Sequence, residues 1–175
     1  AGIGWLWLDR PHLLEDWQAD QVTRRGEQRM VTLADGSTAQ LDSDSAITVS
    51  FSDGRRDVRL LRGTAFFEVR RSAAPFVVSE RNGEARVLGT SFEVSANEGG
   101  GVTVTLASGS VEVGLTQSRE SLTLKPGERV AYDGRGLGLA ERVDVADLTA
   151  WRAGRLIFDN MPLAQVVSRI ERHHR

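Results

Sequence analysis

No cysteine occurs among the 175 residues. Thiolate zinc sites, thiol catalysis and disulfides are therefore excluded. The compartment stays open, because a cysteine-free chain suits an oxidising periplasm and is equally ordinary in the cytosol. Lysine is nearly missing: Lys125 stands alone among 22 basic residues, the rest being arginine. Net charge is only −2, so no electrostatic case exists for nucleic acid as a partner. Histidine is scarce, and His12, His173 and His174 all lie outside the strand-rich part of the chain. A cupin-type metal centre takes two or three histidines from neighbouring strands and is disfavoured, as is a Ser-His-Asp hydrolase. The glycine-rich stretch "NEGGGV" runs into a strand pattern rather than a helix, so it is no phosphate loop. No cofactor and no metal site are expected. Aromatic residues make up 6%, with no repeated exposed Trp or Tyr in the strands to stack on sugars, which weakens the alternative of a carbohydrate-binding or adhesive β-sandwich module.

What is present is an ordinary globular balance, 40% apolar and 26% charged, arranged with a period of two. From about residue 27 to 142 the chain reads as all strand, rich in Val, Thr, Phe and Ile. Ile47, Val49 and Phe51 share a face; so do Val102, Val104 and Leu106, and Val111, Val113 and Leu115. Phe67, Val69, Leu88, Phe92 and Val94 complete the expected core. Asp35-Gly36, Asp53-Gly54, Asn82-Gly83 and Ser108-Gly109 mark tight turns between strands. The expected fold is all-β, a two-layer antiparallel sandwich or solenoid-like jelly roll.

The flanks differ. Residues 1–8 are apolar or small and stop at Asp9-Arg10-Pro11. They are too few to span a bilayer, and are expected to be the end of a transmembrane span or a hydrophobic leader. Residues 9–26 read as a juxtamembrane arm with weak helical spacing. Residues 143–175 read as a linker with a short helix stopped by Gly154, then a strand, "RLIF", then a helix. Pro162 suits the first turn of that helix, and Leu163, Val166, Val167 and Ile170 form its apolar stripe. One strand and one helix cannot bury that stripe, so this piece is read as the start of a second small domain.

One stretch carries possible chemistry. In "RVLGTSFEV", Leu88, Thr90, Phe92 and Val94 share a parity, which sends the Thr90 hydroxyl toward the core beside Gly89. A threonine can be an ordinary buried strand residue whose hydroxyl bonds a carbonyl. It can also attack the carbonyl before it, converting the amide to an ester that water splits, if glycine lets the backbone adopt a strained geometry. Both readings stand on the residues alone. Gly63-Thr64, a second such pair, reads as a turn entering a strand.

The order of "GEQRMVTLADGSTAQLDSDSAITVSF", "RDVRLLRGTAFFEV", "VLGTSFEV", "VTVTLASGSVEV" and "LKPGERV" resembles the periplasmic domain of FecR-type anti-sigma factors. "WRAGRLIFDNMPLAQVVSRIER" resembles the family's Trp-x-x-Gly-x-Leu-x-Phe stretch and the start of a secretin/TonB-type short domain. The resemblance implies a periplasmic receiver anchored in the inner membrane by a single upstream span. It implies regulation of an extracytoplasmic-function sigma factor, held through a cytoplasmic segment absent here. It implies a signalling domain of an outer-membrane TonB-dependent siderophore transporter as partner, with Leu156, Phe158, Leu163 and Val166 as candidate contacts. Some members are cut at a Gly-Thr bond before intramembrane proteolysis. Carried onto this chain, that bond is Gly89–Thr90, a single-turnover self-cleavage rather than enzymatic turnover, with periplasmic and intramembrane proteases acting afterwards.

Overall fold

The computed structural model describes residues 13–154, together with 163, 166, 167, 170 and 171. Helix α1 (Leu13–Gln18) leads into β1 (Gln21–Val22), β2 (Arg29–Thr32), β3 (Thr38–Leu41), β4 (Ala46–Ser52) and β5 (Arg55–Arg62). There follow β6 (Thr64–Glu68), β7 (Phe76–Glu80), β8 (Gly83–Val87), β9 (Ser91–Ala96) and β10 (Val102–Ser108). The last strands are β11 (Val111–Leu115), β12 (Ser121–Leu124), β13 (Glu128–Asp133), β14 (Gly136–Leu137) and β15 (Glu141–Arg142). Helix α2 (Val145–Ala150) and a 3-10 turn (Trp151–Ala153) close the described domain. No helix among the described residues is long and apolar enough to cross a membrane.

The strands form the expected all-β sandwich. One sheet runs β1-β4-β5-β7-β8-β11-β12 and the other β14-β13-β10-β9-β6-β3-β2, with β15 beside β13. All pairs are antiparallel except β5 with β7. In each sheet the strands up to β8 are contiguous, and so are those from β9 onward. The two groups meet once per sheet, at β6–β9 and at β8–β11.

Period-two burial follows from the pleat. Ile47, Leu60 and Val78 of the first sheet face Phe67, Phe92 and Val104 of the second, all at most 1% exposed. Phe67 stacks on Phe92, its cross-strand partner, at 5.5 Å, and reaches across the sandwich to Phe76 at 5.8 Å. Val49 and Phe51, expected in this core, are only half-buried and pack at its margin.

Turn chemistry is also visible. Asp53 and Gly54 both take positive φ, 49° and 75°, as a two-residue hairpin between antiparallel β4 and β5 demands. At the next expected turn the chain departs from the Asn-Gly pattern. Arg81 takes the positive φ, and Gly83 already belongs to β8. Its glycine is needed for packing: a Cβ there would lie 2.5 Å from the Tyr132 ring.

The turn after α2 is docked, not free. Trp151 is 1% exposed, and its indole N–H donates to Glu93 Oε2 at 2.6 Å. Gln28 Nε2 donates to the Trp151 carbonyl at 3.0 Å. Arg152 lies 4.0 Å over the Phe66 ring and donates to Gln40 and Glu68 at 2.8 and 3.0 Å. Two adjacent residues thus cover outward-facing side chains of β3, β6 and β9. Gly154, at φ 74°, ends the turn, as glycine does just past a helix.

Candidate functional site

The stretch read as one strand is two. β8 ends at Val87 in the first sheet, and β9 begins at Ser91 in the second. Leu88, Gly89 and Thr90 carry the chain across the edge of the sandwich. Crossing resets the alternation, so Leu88 is 50% exposed and not in the core, whereas Thr90 is buried at 5%.

Three connections distant in sequence hold this crossover. Ser72 N–H donates to the Leu88 carbonyl at 3.0 Å, and Val69 N–H to the Thr90 carbonyl at 2.9 Å. Both donors lie at or beyond the end of β6. Beneath them sits Arg56, an arginine of β5 only 6% exposed. Its guanidinium donates to the carbonyls of Arg70, Ala74 and Leu88 and to Asp35 Oδ2, at 2.6–3.3 Å. Five donors in a planar fork suit one side chain to several loops. Burial pushes the Asp35 carboxyl up, but hydrogen bonds from Arg56 and Ser37 outweigh it and hold it below the usual carboxylate range. Ser37 Oγ in turn accepts the Arg70 N–H at 3.0 Å. Arg56 and Asp35 were not legible as site residues, because a charged residue in a strand or turn reads as a solvated one.

Gly89 does not adopt a left-handed φ, contrary to the expectation of glycine-specific strain at this bond. Its need for glycine is steric: a Cβ would lie 2.8 Å from Arg71 Cα and Cβ. On the other side the β10–β11 turn approaches. The Thr90 hydroxyl donates to the Ser110 carbonyl at 2.9 Å. The peptide between Gly89 and Thr90 is thus enclosed by main chain, with an open groove of about 370 Å3 alongside. Gly36, Thr38, Glu68, Arg70, Arg71 and Ser108 line that groove. Water can reach the bond from it.

Gly63–Thr64 lies where expected, with a turn glycine at φ 79° and Thr64 opening β6. Of the candidate partner contacts, Leu163 is helical and 77% exposed, and Val166 is helical and half-buried. Leu156 and Phe158 lie outside the described residues. Among the described residues no group of three or more His, Asp or Glu is placed to hold a metal ion.

The largest carboxylate shift lies away from the crossover. Glu80, 3% exposed, ends β7; its Oε2 has no hydrogen-bond partner among the described residues, and Oε1 is 3.3 Å from Arg81 Nε. Burial pushes its pKa up to about 7, against the pull of Arg81 and Arg59. Tyr132 donates its hydroxyl to the Glu80 main-chain carbonyl at 3.2 Å.

A family model described as FecR protein matches residues 19–112, more than half of the chain. A crystal structure at 1.65 Å of a candidate anti-sigma factor from Parabacteroides distasonis ATCC 8503 is 32% identical. The alignment covers 87% of this chain and 73% of that one, with a TM-score of 0.79. A second, at 2.50 Å, from the same organism is 31% identical over 88% and 73%, also at 0.79. No protein of curated function matches.

Proposed function

The chain belongs to the FecR family, its described part being the all-β domain of a FecR-type anti-sigma factor, and from that premise we propose that it receives a signal in the periplasm and cuts itself once, at Gly89–Thr90. In this reading residues 27–142 are the receiver. Residues 1–8 end an inner-membrane span, 9–26 are an arm, and 143–175 are a linker, fastened to the sandwich through Trp151 and Arg152, and the start of a secretin/TonB-type short domain. The signal comes from the signalling domain of an outer-membrane TonB-dependent siderophore transporter. The output is an extracytoplasmic-function sigma factor, released after periplasmic and intramembrane proteases act.

The observation that carries the self-cleavage is the crossover itself: a buried threonine hydroxyl beside a glycine carbonyl, outside either ladder and open to water on one side. Thr90 Oγ1 attacks the Gly89 carbonyl carbon. A C–O bond forms, the C–N bond breaks, and the hydroxyl proton ends on the freed Thr90 amine. Water then opens the ester, leaving a Gly89 carboxylate and restoring the Thr90 hydroxyl. The carbonyl of Ser110 orients the hydroxyl but takes no proton, which fits slow, single-turnover chemistry. The fragments stay associated, because β6–β9 and β8–β11 pairing and the Phe67–Phe92 stack bridge the cut.

Denaturing mass spectrometry of purified protein tests the cut. Fragments 1–89 and 90–175 are expected; an intact chain after long incubation makes Thr90 an ordinary buried threonine. Capture with candidate transporter signalling domains tests the partner. The exposed Leu163 supports contact through the region after Gly154, with Leu156, Phe158 and Val166. Truncation at Gly154 should abolish capture and leave the β-domain folded.

A further inference from the structure

We propose that Gly109, in the β10–β11 turn, is a positioning residue for the reaction at Gly89–Thr90; this rests on the self-cleavage reading above. Gly109 takes φ 89°, a conformation side chains disfavour, but conformation is only half of its role. A Cβ on Gly109 would lie 2.9 Å from Thr90 Oγ1, 3.0 Å from the Gly89 carbonyl oxygen and 3.2 Å from Thr90 Cα. Those are the nucleophile, the oxygen that gains negative charge, and one atom of the short chain of bonds between them. The next residue supplies the carbonyl that holds the hydroxyl. The turn therefore lies directly on the reacting atoms, and a single methyl group there would press on both the attacking and the attacked group. A displacement of about an ångström is enough to cost a positioned reaction on the order of a hundredfold.

Gly54 provides the internal control. It takes φ 75° in a hairpin turn, and a Cβ there meets nothing within 4 Å. Gly54→Ala likewise places a side chain at positive φ, without the contact. Cleavage of newly purified wild type, Gly109→Ala and Gly54→Ala is followed by denaturing mass spectrometry, with and without hydroxylamine, which opens an ester at the Gly89 carbonyl by forming the hydroxamate. Folded fraction is measured for each glycine variant in the uncleavable Thr90→Val background, which keeps the volume at that side chain. Gly109→Ala is expected to cut at least tenfold more slowly at equal folded fraction, unrescued by hydroxylamine because no ester forms. Gly54→Ala is expected to cut at the wild-type rate. Should Gly109→Ala not fold, Gly109→Asn, which tolerates positive φ better and brings the same Cβ, is read in the same way. Wild-type cleavage in the folded Gly109 variant, equal slowing by Gly54→Ala, or rescue by hydroxylamine would each overturn the assignment. An uncut wild type removes the self-cleavage reading itself, and the assignment with it.

Discussion

Gly63–Thr64 and Gly89–Thr90 are the same dipeptide in one molecule, with both threonines buried and both hydroxyls hydrogen-bonded, yet their backbone surroundings differ. At the first pair the glycine is left-handed, and a Cβ would overlap Ser45 Oγ and lie 2.5 Å from the Asp44 carbonyl. Its carbonyl accepts the Ala96 N–H at 2.8 Å, and Ser45 Oγ accepts the Thr64 N–H at 2.9 Å. The Thr64 hydroxyl is shared with Ser95 Oγ at 2.8 Å. Carbonyl, amide and hydroxyl are all engaged, where Thr64 opens the β6–β9 ladder. At the second pair the backbone is unstrained, the residues lie between strands, and a groove opens beside them. In the proposed self-cleavage, the bond to be cut is set apart not by a left-handed glycine but by lying outside the ladder while its neighbours stay fixed.

The sharpest way to break that contrast is to remove each hydroxyl. Thr90→Ala should abolish the 1–89 and 90–175 fragments, and Thr64→Ala should leave their yield in the folded protein unchanged, both read by denaturing mass spectrometry. Fragments persisting in Thr90→Ala would dissolve the distinction. Next in size, Phe67→Ala touches neither pair but empties the centre of the core, and should cost about 3–5 kcal/mol in urea unfolding. Cleavage at Thr90 should then fall only in proportion to the unfolded fraction. Gly63→Ala combines left-handed strain with overlap and should destabilise by roughly 2–4 kcal/mol, whereas Gly54→Ala carries strain alone, about 1–2 kcal/mol. Equal costs would mean that the first pair is not sterically locked.

A smaller effect separates pH-dependent chemistry from pH-dependent stability. The Glu80 carboxyl titrates near 7 in the fold against an ordinary value of 4.5. The folded state thus binds the proton more tightly than the unfolded chain. Its contribution is fully present below about pH 4.5 and is lost as pH rises through 7. Glu80→Gln should flatten the stability profile and stabilise the protein at pH 8 by on the order of 2 kcal/mol. Thermal melts at pH 5 and 8 check this, and any pH dependence of cleavage left in that variant belongs to the crossover.

The strands were legible because alternation is local: Ile47, Val104 and Val113 announce their face within a few residues. Leu88 was not, because parity survives only while the chain stays in one sheet, and nothing in "RVLGTSFEV" records the step between sheets. Arg56 becomes buried only when residues 35, 70–74 and 88 converge on it, a fact of topology rather than of local pattern. The same holds for Trp151, whose partners Gln28 and Glu93 lie 123 and 58 positions away. Gly89–Thr90 stood out as a pair of residue types and Ser108-Gly109 as a turn; that the second packs against the first did not.

The division of both sheets at β6–β9 and β8–β11 makes the chain two complementary half-proteins joined by one loop. Residues before the crossover form a contiguous block in each sheet, and so do those after it. Co-expressed as separate polypeptides meeting at residue 89, the halves have the layout of a split reporter: each alone leaves half of a core exposed, and together they complete it. Arg152 and Trp151 reach back from the later half to Gln28, Gln40, Phe66 and Glu68 of the earlier one, so reassembly has a fastening outside the sandwich as well as within it. A partner that pulls on the chain beyond Gly154 would meet that fastening before it loads either sheet, which makes Arg152 the place where a tug on one half is first felt by the other.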